Sequence, residues 1–185
     1  MKLKIYLIRH GEKDGEGKFL SKRGIKQIKL LAKKLEKIKF DKIYSSDLER
    51  CKQTIEIINK KIKLPIIYES RLREVKGEVK EFPKKHKKEI KNIKSVYNKL
   101  AKEKGNVLVS SSGIVNRILL SMFLKIDPNK ANFIQNPSGV NLIDKNPEKN
   151  RFRILYINDT SHLPDKLKIR QKINGITKFL IVGAP

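Results

Sequence analysis

The chain has no tryptophan, a single cysteine and three histidines among 185 residues, and only 19 acidic side chains stand against 44 basic ones. With Cys51 alone, no intramolecular disulfide and no cysteine-based metal site can form. Aromatic residues make up 6% of the chain, and no nucleic-acid-binding module is recognisable, so a protein that stacks bases on aromatic rings is poorly supported. The apolar run at the start, LKIYLI, is short and leads at once into Arg9 and His10. It matches neither a signal peptide nor a membrane span, and a soluble, cytoplasmic protein with no membrane partner is the expectation. No internal repeat and no long low-complexity linker interrupts the sequence.

What is present is globular in character. Hydrophobic residues reach 38% and recur along the whole length despite 34% charged residues, enough for one layered domain spanning 1–185 without staples. The formal net charge of +25 concentrates anions such as phosphate esters, nucleic acids or acidic lipids near the surface, and the effect weakens as salt screens it. Most of the excess is lysine in segments such as LLAKKLEKIK and KKHKKEIKNIK, which read as solvated helix faces.

Apolar periodicity divides the chain into alternating elements. Lys2 to Ile8 reads as a strand ending at the polar group Arg9, His10, Gly11, Glu12. Ser21 caps a helix whose stripe is Ile25, Ile28, Leu31, Ala32, Leu35 and Ile38. Lys42 to Ser45 is a short strand, Asp47 to Lys60 a helix, and Ile66 to Tyr68 a strand after the break at Pro65. Glu69 to Pro83 reads as a loop, Lys84 to Lys102 as a lysine-rich helix, and Asn106 to Val109 as a buried strand. A helix over Ile114 to Leu124 follows, then strands at Gly139 to Ile143, Arg151 to Ile157 and Lys178 to Val182. This alternation predicts a three-layer α/β/α sandwich around a largely parallel sheet.

In such a sheet ligands bind beyond the carboxyl ends of the strands. Four polar groups qualify: Arg9 and His10, Ser45 to Arg50, Arg71 to Glu74, and Ser110 to Gly113. A histidine after a strand is by itself more often structural than catalytic. Here it stands beside a fixed cation, Arg9, and a residue without a side chain, Gly11, which would let a ligand approach the backbone. Arg50 adds a second guanidinium suited to phosphate oxygens, and Glu74 a carboxyl able to carry a proton. Arg50 could instead pair with Glu49 or Asp47; Glu69, Glu78 and Glu81 are alternatives to Glu74; and Gly11 and Gly113 could be turn glycines.

Five segments in order, LIRHGE, LSKRGIKQIKLLAKKL, YSSDLERCKQT, RLREVKG and INDTSHL, resemble the motifs of the histidine phosphatase superfamily, also called the phosphoglycerate mutase-like family. The resemblance implies a phosphomonoesterase with a phosphohistidine intermediate at His10. It implies Arg9 and Arg50 as phosphate clamps and Glu74 as proton donor to the leaving oxygen, a chemistry that needs no metal or other cofactor. Its substrate would be a phosphorylated small molecule.

The sequence departs from the family where Ser-His-Gly is usual after the fourth strand: it reads VLVSSSGIV, with Ser112 before Gly113. Ser112 and Gly113 are thereby assigned to the phosphate pocket, but a hydroxyl brings no positive charge. Loss of one preorganised donor implies a rate about 10²- to 10³-fold lower. An introduced substitution, a weak or silent enzyme that binds phosphorylated ligands or an acidic partner, and replacement by another group are the open explanations. His162 lies in a matching segment, His86 among lysines, and neither is assigned to catalysis. Lys13 stands where the family often has Thr or Ser, and Glu16 where many relatives have Asn. The Trp-Glu-Gly continuation is absent, and the stretch after Glu74 leaves room only for a short cap. An open site disfavours a phosphoglycerate mutase, whose bisphosphorylated cofactor calls for an enclosing pocket.

Overall fold

A computed structural model describes residues 2–75, 86–146, 148 and 151–168, together with the backbone of 172–173 and 176–177. In chain order the elements are β1 (Leu3–Arg9), α1 (Lys22–Leu35), β2 (Lys42–Ser45), α2 (Glu49–Ile62), β3 (Ile66–Tyr68) and a 3-10 turn (Ser70–Leu72). They continue with α3 (Lys87–Leu100), β4 (Gly105–Ser111), α4 (Gly113–Leu124), β5 (Val140–Asn146) and β6 (Arg151–Asp159). A second 3-10 turn (Asp165–Leu167) and the two-residue strands β7 (Lys172–Ile173) and β8 (Ile176–Thr177) follow. The strand expected over Lys178 to Val182 lies outside the described residues, as do 76–85, where most of the expected cap would fall.

Six strands form one sheet in the order β3-β2-β4-β1-β5-β6. The first four are parallel, whereas β5 runs antiparallel to β1 and β6 antiparallel to β5. The sheet is therefore mixed and mostly parallel. β1 lies inside it, so both of its faces are covered, and successive residues of the strand point alternately into two cores. Leu3, Ile5 and Leu7 face the core shared with α3 and α4 through Ile93, Val96, Leu100, Ile118 and Phe123. Tyr6 and Ile8 face the core built on α1 and α2 by Ile28, Leu31, Leu35, Ile55 and Ile58. Helices on both faces make the three layers.

The helices start and stop for local reasons. The Ser21 hydroxyl accepts from the Gly24 N–H at 2.9 Å, the expected cap of α1. Lys63 after α2 and Lys125 after α4 take left-handed conformations that end those helices. No helix among the described residues is long and apolar enough to cross a membrane.

Glycine is required at the β1–α1 junction. A Cβ on Gly24 would lie 2.1 Å from the Glu12 carbonyl oxygen, and one on Gly11 would lie 2.8 Å from the Gly24 oxygen and 2.9 Å from Ile28. Gly11 is thus bare so that the loop after β1 can press against α1.

Candidate active site

The parallel strands β1, β2 and β4 end side by side, and the loops after them meet above those ends. Pairing of Arg9 with Ser111 closes the β1–β4 ladder, and the His10 N–H continues it to the Ser111 carbonyl at 3.0 Å. His10 is almost fully buried, at 1% exposure. Its Nδ1 lies 2.7 Å from the Gly11 carbonyl oxygen. A carbonyl can only accept, so Nδ1 carries the proton and the lone pair resides on Nε2. Into that lone pair the Arg50 Nε–H donates at 3.2 Å.

Burial above all, reinforced by the charges of Arg9, Arg50 and Lys13 and opposed by the Gly11 hydrogen bond, pushes the His10 imidazole down to about 3. The ring is therefore neutral at physiological pH, the form that can act as a nucleophile.

Arg50, in the first turn of α2, ties three parts of the site together. Besides His10 it donates Nη1 to the Gly17 carbonyl at 2.9 Å and Nη2 to the Glu74 carboxylate. It does not pair with Glu49 or Asp47, which bind Lys52 and Arg73 instead. The register of α2 is fixed by Thr54, one turn on: its hydroxyl donates to the Arg50 carbonyl at 2.8 Å and accepts from the Gly11 N–H at 3.2 Å. Gln53 accepts from the Leu20 N–H at 2.8 Å. The polar Gln-Thr pair thus fastens α2 to both ends of the loop between β1 and α1.

Glu74 sits between the buried side chains of Leu72 and Val75. The Ser111 hydroxyl holds the Leu72 carbonyl at 3.0 Å, and Arg73 forms a two-pronged pair with Asp47 at 2.7 and 2.6 Å. Of the alternative carboxylates, Glu69 is engaged by Arg71, while Glu78 and Glu81 lie outside the described residues.

Arg9 approaches from the other side. Its guanidinium donates to the Gln135 carbonyl, and a Cβ on Gly113 would lie 3.4 Å from its Cζ and Nε. Burial lowers its pKa; the nearby Glu74 raises it and Arg50 lowers it, so the three charges share one neighbourhood. Among the described residues the buried Nε has no partner. The hydroxyls of Ser110 and Ser112, both fully buried, likewise lack partners among the described residues. Ser112 occupies the N-cap of α4 yet makes no side-chain cap.

His10, Arg9, Arg50 and Glu74 are thus brought together from the ends of three elements, with Ser112 and Gly113 at the start of α4 beside Arg9. His162 stands behind the loop: its Nε2 lies 3.2 Å from the Ser138 hydroxyl, and the Ser138 N–H holds the His10 carbonyl at 3.1 Å. Burial chiefly pushes His162 down to about 4. His86, beginning α3, lies 4.0 Å from Glu89.

Several supporting residues escape sequence reasoning. Gln135 exchanges paired hydrogen bonds with Asn141 at 2.9 Å each, and Asn141 donates to the Leu7 carbonyl at 2.8 Å, which fixes the carbonyl that receives Arg9. Ser138 adopts a left-handed conformation, φ 59°, and Asn158 accepts from the Asn136 N–H at 2.6 Å, bracing the same turn. Only the polar run Gln135, Asn136, Pro137, Ser138 before an apolar strand hints at this in the sequence. Cys51 is buried and its thiol is pushed up to about 12, chiefly by burial, so it offers no thiolate. Among the described residues no three His, Cys, Asp or Glu side chains gather as a metal-ligand set.

Comparison with known proteins bears on the family and the fold. A probable phosphatase of Schizosaccharomyces pombe is 34% identical over 82 residues, a match covering 39% of each chain. The match thus spans well under half of that relative's length. A phosphoserine phosphatase from Entamoeba histolytica, solved with 3-phosphoglyceric acid, superposes with a TM-score of 0.72 at 20% identity, covering 88% of this chain and all of the other. A Plasmodium falciparum phosphoglycerate mutase gives 0.66 at 23% identity, covering 89% and 96%. These structures share the fold. The family model of the histidine phosphatase superfamily (branch 1) matches residues 5–99, the stretch that carries His10, Arg50 and Glu74, and the chain belongs to that superfamily.

Proposed function

We propose that the chain is a phosphomonoesterase that works through a phosphohistidine at His10. The observation that carries this reading is the state of one imidazole: buried, neutral, donating its Nδ1–H to the Gly11 carbonyl and presenting Nε2 to a guanidinium. A phosphoryl group entering the site takes the place of the nitrogen as the acceptor for Arg50, and Arg9 Nε, lacking a partner, donates to another of its oxygens. Nε2 then attacks phosphorus in line. The N–P bond forms as the ester P–O bond breaks, and Glu74 in its acid form gives its proton to the leaving oxygen. In the second half, Glu74 as carboxylate takes a proton from water, the water oxygen bonds to phosphorus, and the N–P bond breaks to release phosphate.

Ser112 and Gly113, at the start of α4 next to the Arg9 guanidinium, would border the phosphoryl group. The Ser112 hydroxyl supplies one hydrogen bond and no charge, so turnover falls below that of a site with a histidine there. The test is a chromogenic phosphate ester mixed rapidly with enzyme and quenched: a burst of label appears on His10 and is lost in His10→Ala. Turnover retained in that variant excludes the mechanism.

One observation favours a second reading, a weak or silent member that binds phosphorylated ligands. Ser110 and Ser112, at the end of β4 and the start of α4, have buried hydroxyls without a partner among the described residues, which a bound oxyanion would satisfy without being hydrolysed. Vanadate or phosphate binding without turnover of any ester separates it from the first.

A further inference from the structure

The layer of α3 and α4 carries a groove that the chemistry at His10 does not use. α4 starts beside Arg9, and its 12 residues carry the chain roughly 18 Å away from the site. At that far end Met122, Ile126 and Pro128 face Ile90, Lys94 and Tyr97 of α3 across a cavity of about 380 Å³. The three α3 residues fall at i, i+4 and i+7, one face of the helix. The wall behind Tyr97 is rigid: its ring packs edge-on against Phe123 with centroids 4.9 Å apart, and Phe123 against Phe152 at 4.8 Å. Met122 opposite is unbranched and adapts to the shape of a guest.

Two polar groups mark what the groove accepts. Lys94 is exposed and makes no ion pair, and the Tyr97 hydroxyl makes no hydrogen bond, among the described residues. The one carboxylate among the described lining residues, Asp127, accepts the backbone and side-chain N–H groups of Asn129 at 2.9 and 3.0 Å and forms no ion pair with Lys94. The remaining charge on this face is mostly positive. Lys87, Lys88 and Lys91 of α3 and Lys125 after α4 are exposed, while the single acid on α3, Glu89, lies 4.0 Å from His86.

A bare anion gains nothing from walls of Ile, Met and Pro, and a wholly apolar guest leaves the Lys94 charge unmet. The cavity has the size of a small-molecule site and suits a body that hides alkyl surface while keeping one negative charge at the rim. We infer that this groove binds a straight-chain monocarboxylate of medium length. Its alkyl chain lies against Ile90, Met122, Ile126 and Pro128, and its carboxylate accepts from Lys94 and the Tyr97 hydroxyl. The site is separate from the one at His10, and the inference stands independently of the chemistry proposed there.

The test is calorimetric titration of the protein with hexanoate, octanoate and decanoate below their micelle concentrations, with and without vanadate. Affinity is expected to rise about three- to fourfold per methylene, hence roughly tenfold from octanoate to decanoate, at one molecule per chain and unchanged by vanadate. 1-Octanol should bind roughly two- to fivefold more weakly than octanoate. Lys94→Met removes that difference, whereas Lys29→Met, an exposed lysine of α1 on the opposite layer, keeps it. Ile126→Glu changes a residue that is 42% exposed, so the fold is spared, and abolishes binding of both. Absence of saturable binding, an affinity independent of chain length, displacement by vanadate, or a loss in Lys29→Met equal to that in Lys94→Met overturns the inference. So does another occupant: self-association in sedimentation velocity, or binding to phosphatidylglycerol vesicles, that Ile126→Glu abolishes while decanoate fails to bind.

Discussion

The two halves of the site are built to different standards of completeness. On the side of β1 and α2, every polar group around His10 is engaged: Nδ1 with Gly11, Nε2 with Arg50, Arg50 with Gly17 and Glu74, and Thr54 with both Arg50 and Gly11. On the side of β4 and α4, Ser110, Ser112 and the Nε of Arg9 are buried without a hydrogen-bond partner among the described residues. A buried hydroxyl without a partner costs about 1–3 kcal/mol, which a bound oxyanion would offset under the phosphatase reading. The engaged half fixes the geometry around His10, and the unengaged half holds donors that the protein itself does not use.

Breaking the engaged half at its centre has the largest expected effect. His10→Ala should reduce ester hydrolysis by about 10⁴-fold or more and abolish acid-labile phosphoenzyme, read by quench labelling. Supplying the unengaged half with an imidazole comes next. Ser112→His is expected to raise hydrolysis about 10²- to 10³-fold if the rest of the site is intact; an unchanged rate supports the binding reading instead.

Smaller effects separate the halves by stability. Thr54→Val strands the buried Gly11 N–H and should destabilise the fold by about 1–3 kcal/mol, measured as a lower urea midpoint. Ser112→Ala removes a hydroxyl that has no partner, so the ligand-free protein should be unchanged or up to about 1 kcal/mol more stable, while vanadate binds more weakly. Equal losses in the two variants would erase the distinction.

Acid should act on the whole site through its histidines. Burial holds His10 at about 3 and His162 at about 4, below the value of 6.5 that the unfolded chain regains. Between these limits the unfolded state binds more protons, so stability is full above pH 6.5 and falls as the pH drops toward 4. His162→Gln should flatten part of that decline in a plot of melting temperature against pH. The acid limb of kcat/KM should show no inflection near 6.5, since His10 is already neutral there.

The order of elements was legible because each is driven by its own periodicity: β2 and β3 fall where expected, and Ser21 caps α1. The strand after residue 104 runs further than expected, through Ser111, because serines carry no apolar signal although they pair fully with β1. His10, Arg9, Arg50 and Glu74 could be named because each follows a strand or opens a helix near one edge of the sheet. The packing role of Gly11 depends on the distance between a loop and α1, which no local pattern encodes.

By itself, then, the sequence determined the alternation of strands and helices, the excess of positive charge and the few groups able to carry phosphoryl chemistry, since these are properties of residue type and spacing. Tertiary structure alone decided which nitrogen of His10 holds the proton, which carboxylate meets Arg50, and that Gln135 and Asn141 brace the carbonyl receiving Arg9 while Ser138 holds the His10 carbonyl. The physical reason is that tautomer, ion pairing and burial depend on atoms many residues apart being brought within about 3 Å of one another, and only the packing of α1, α2 and α4 against one sheet does that.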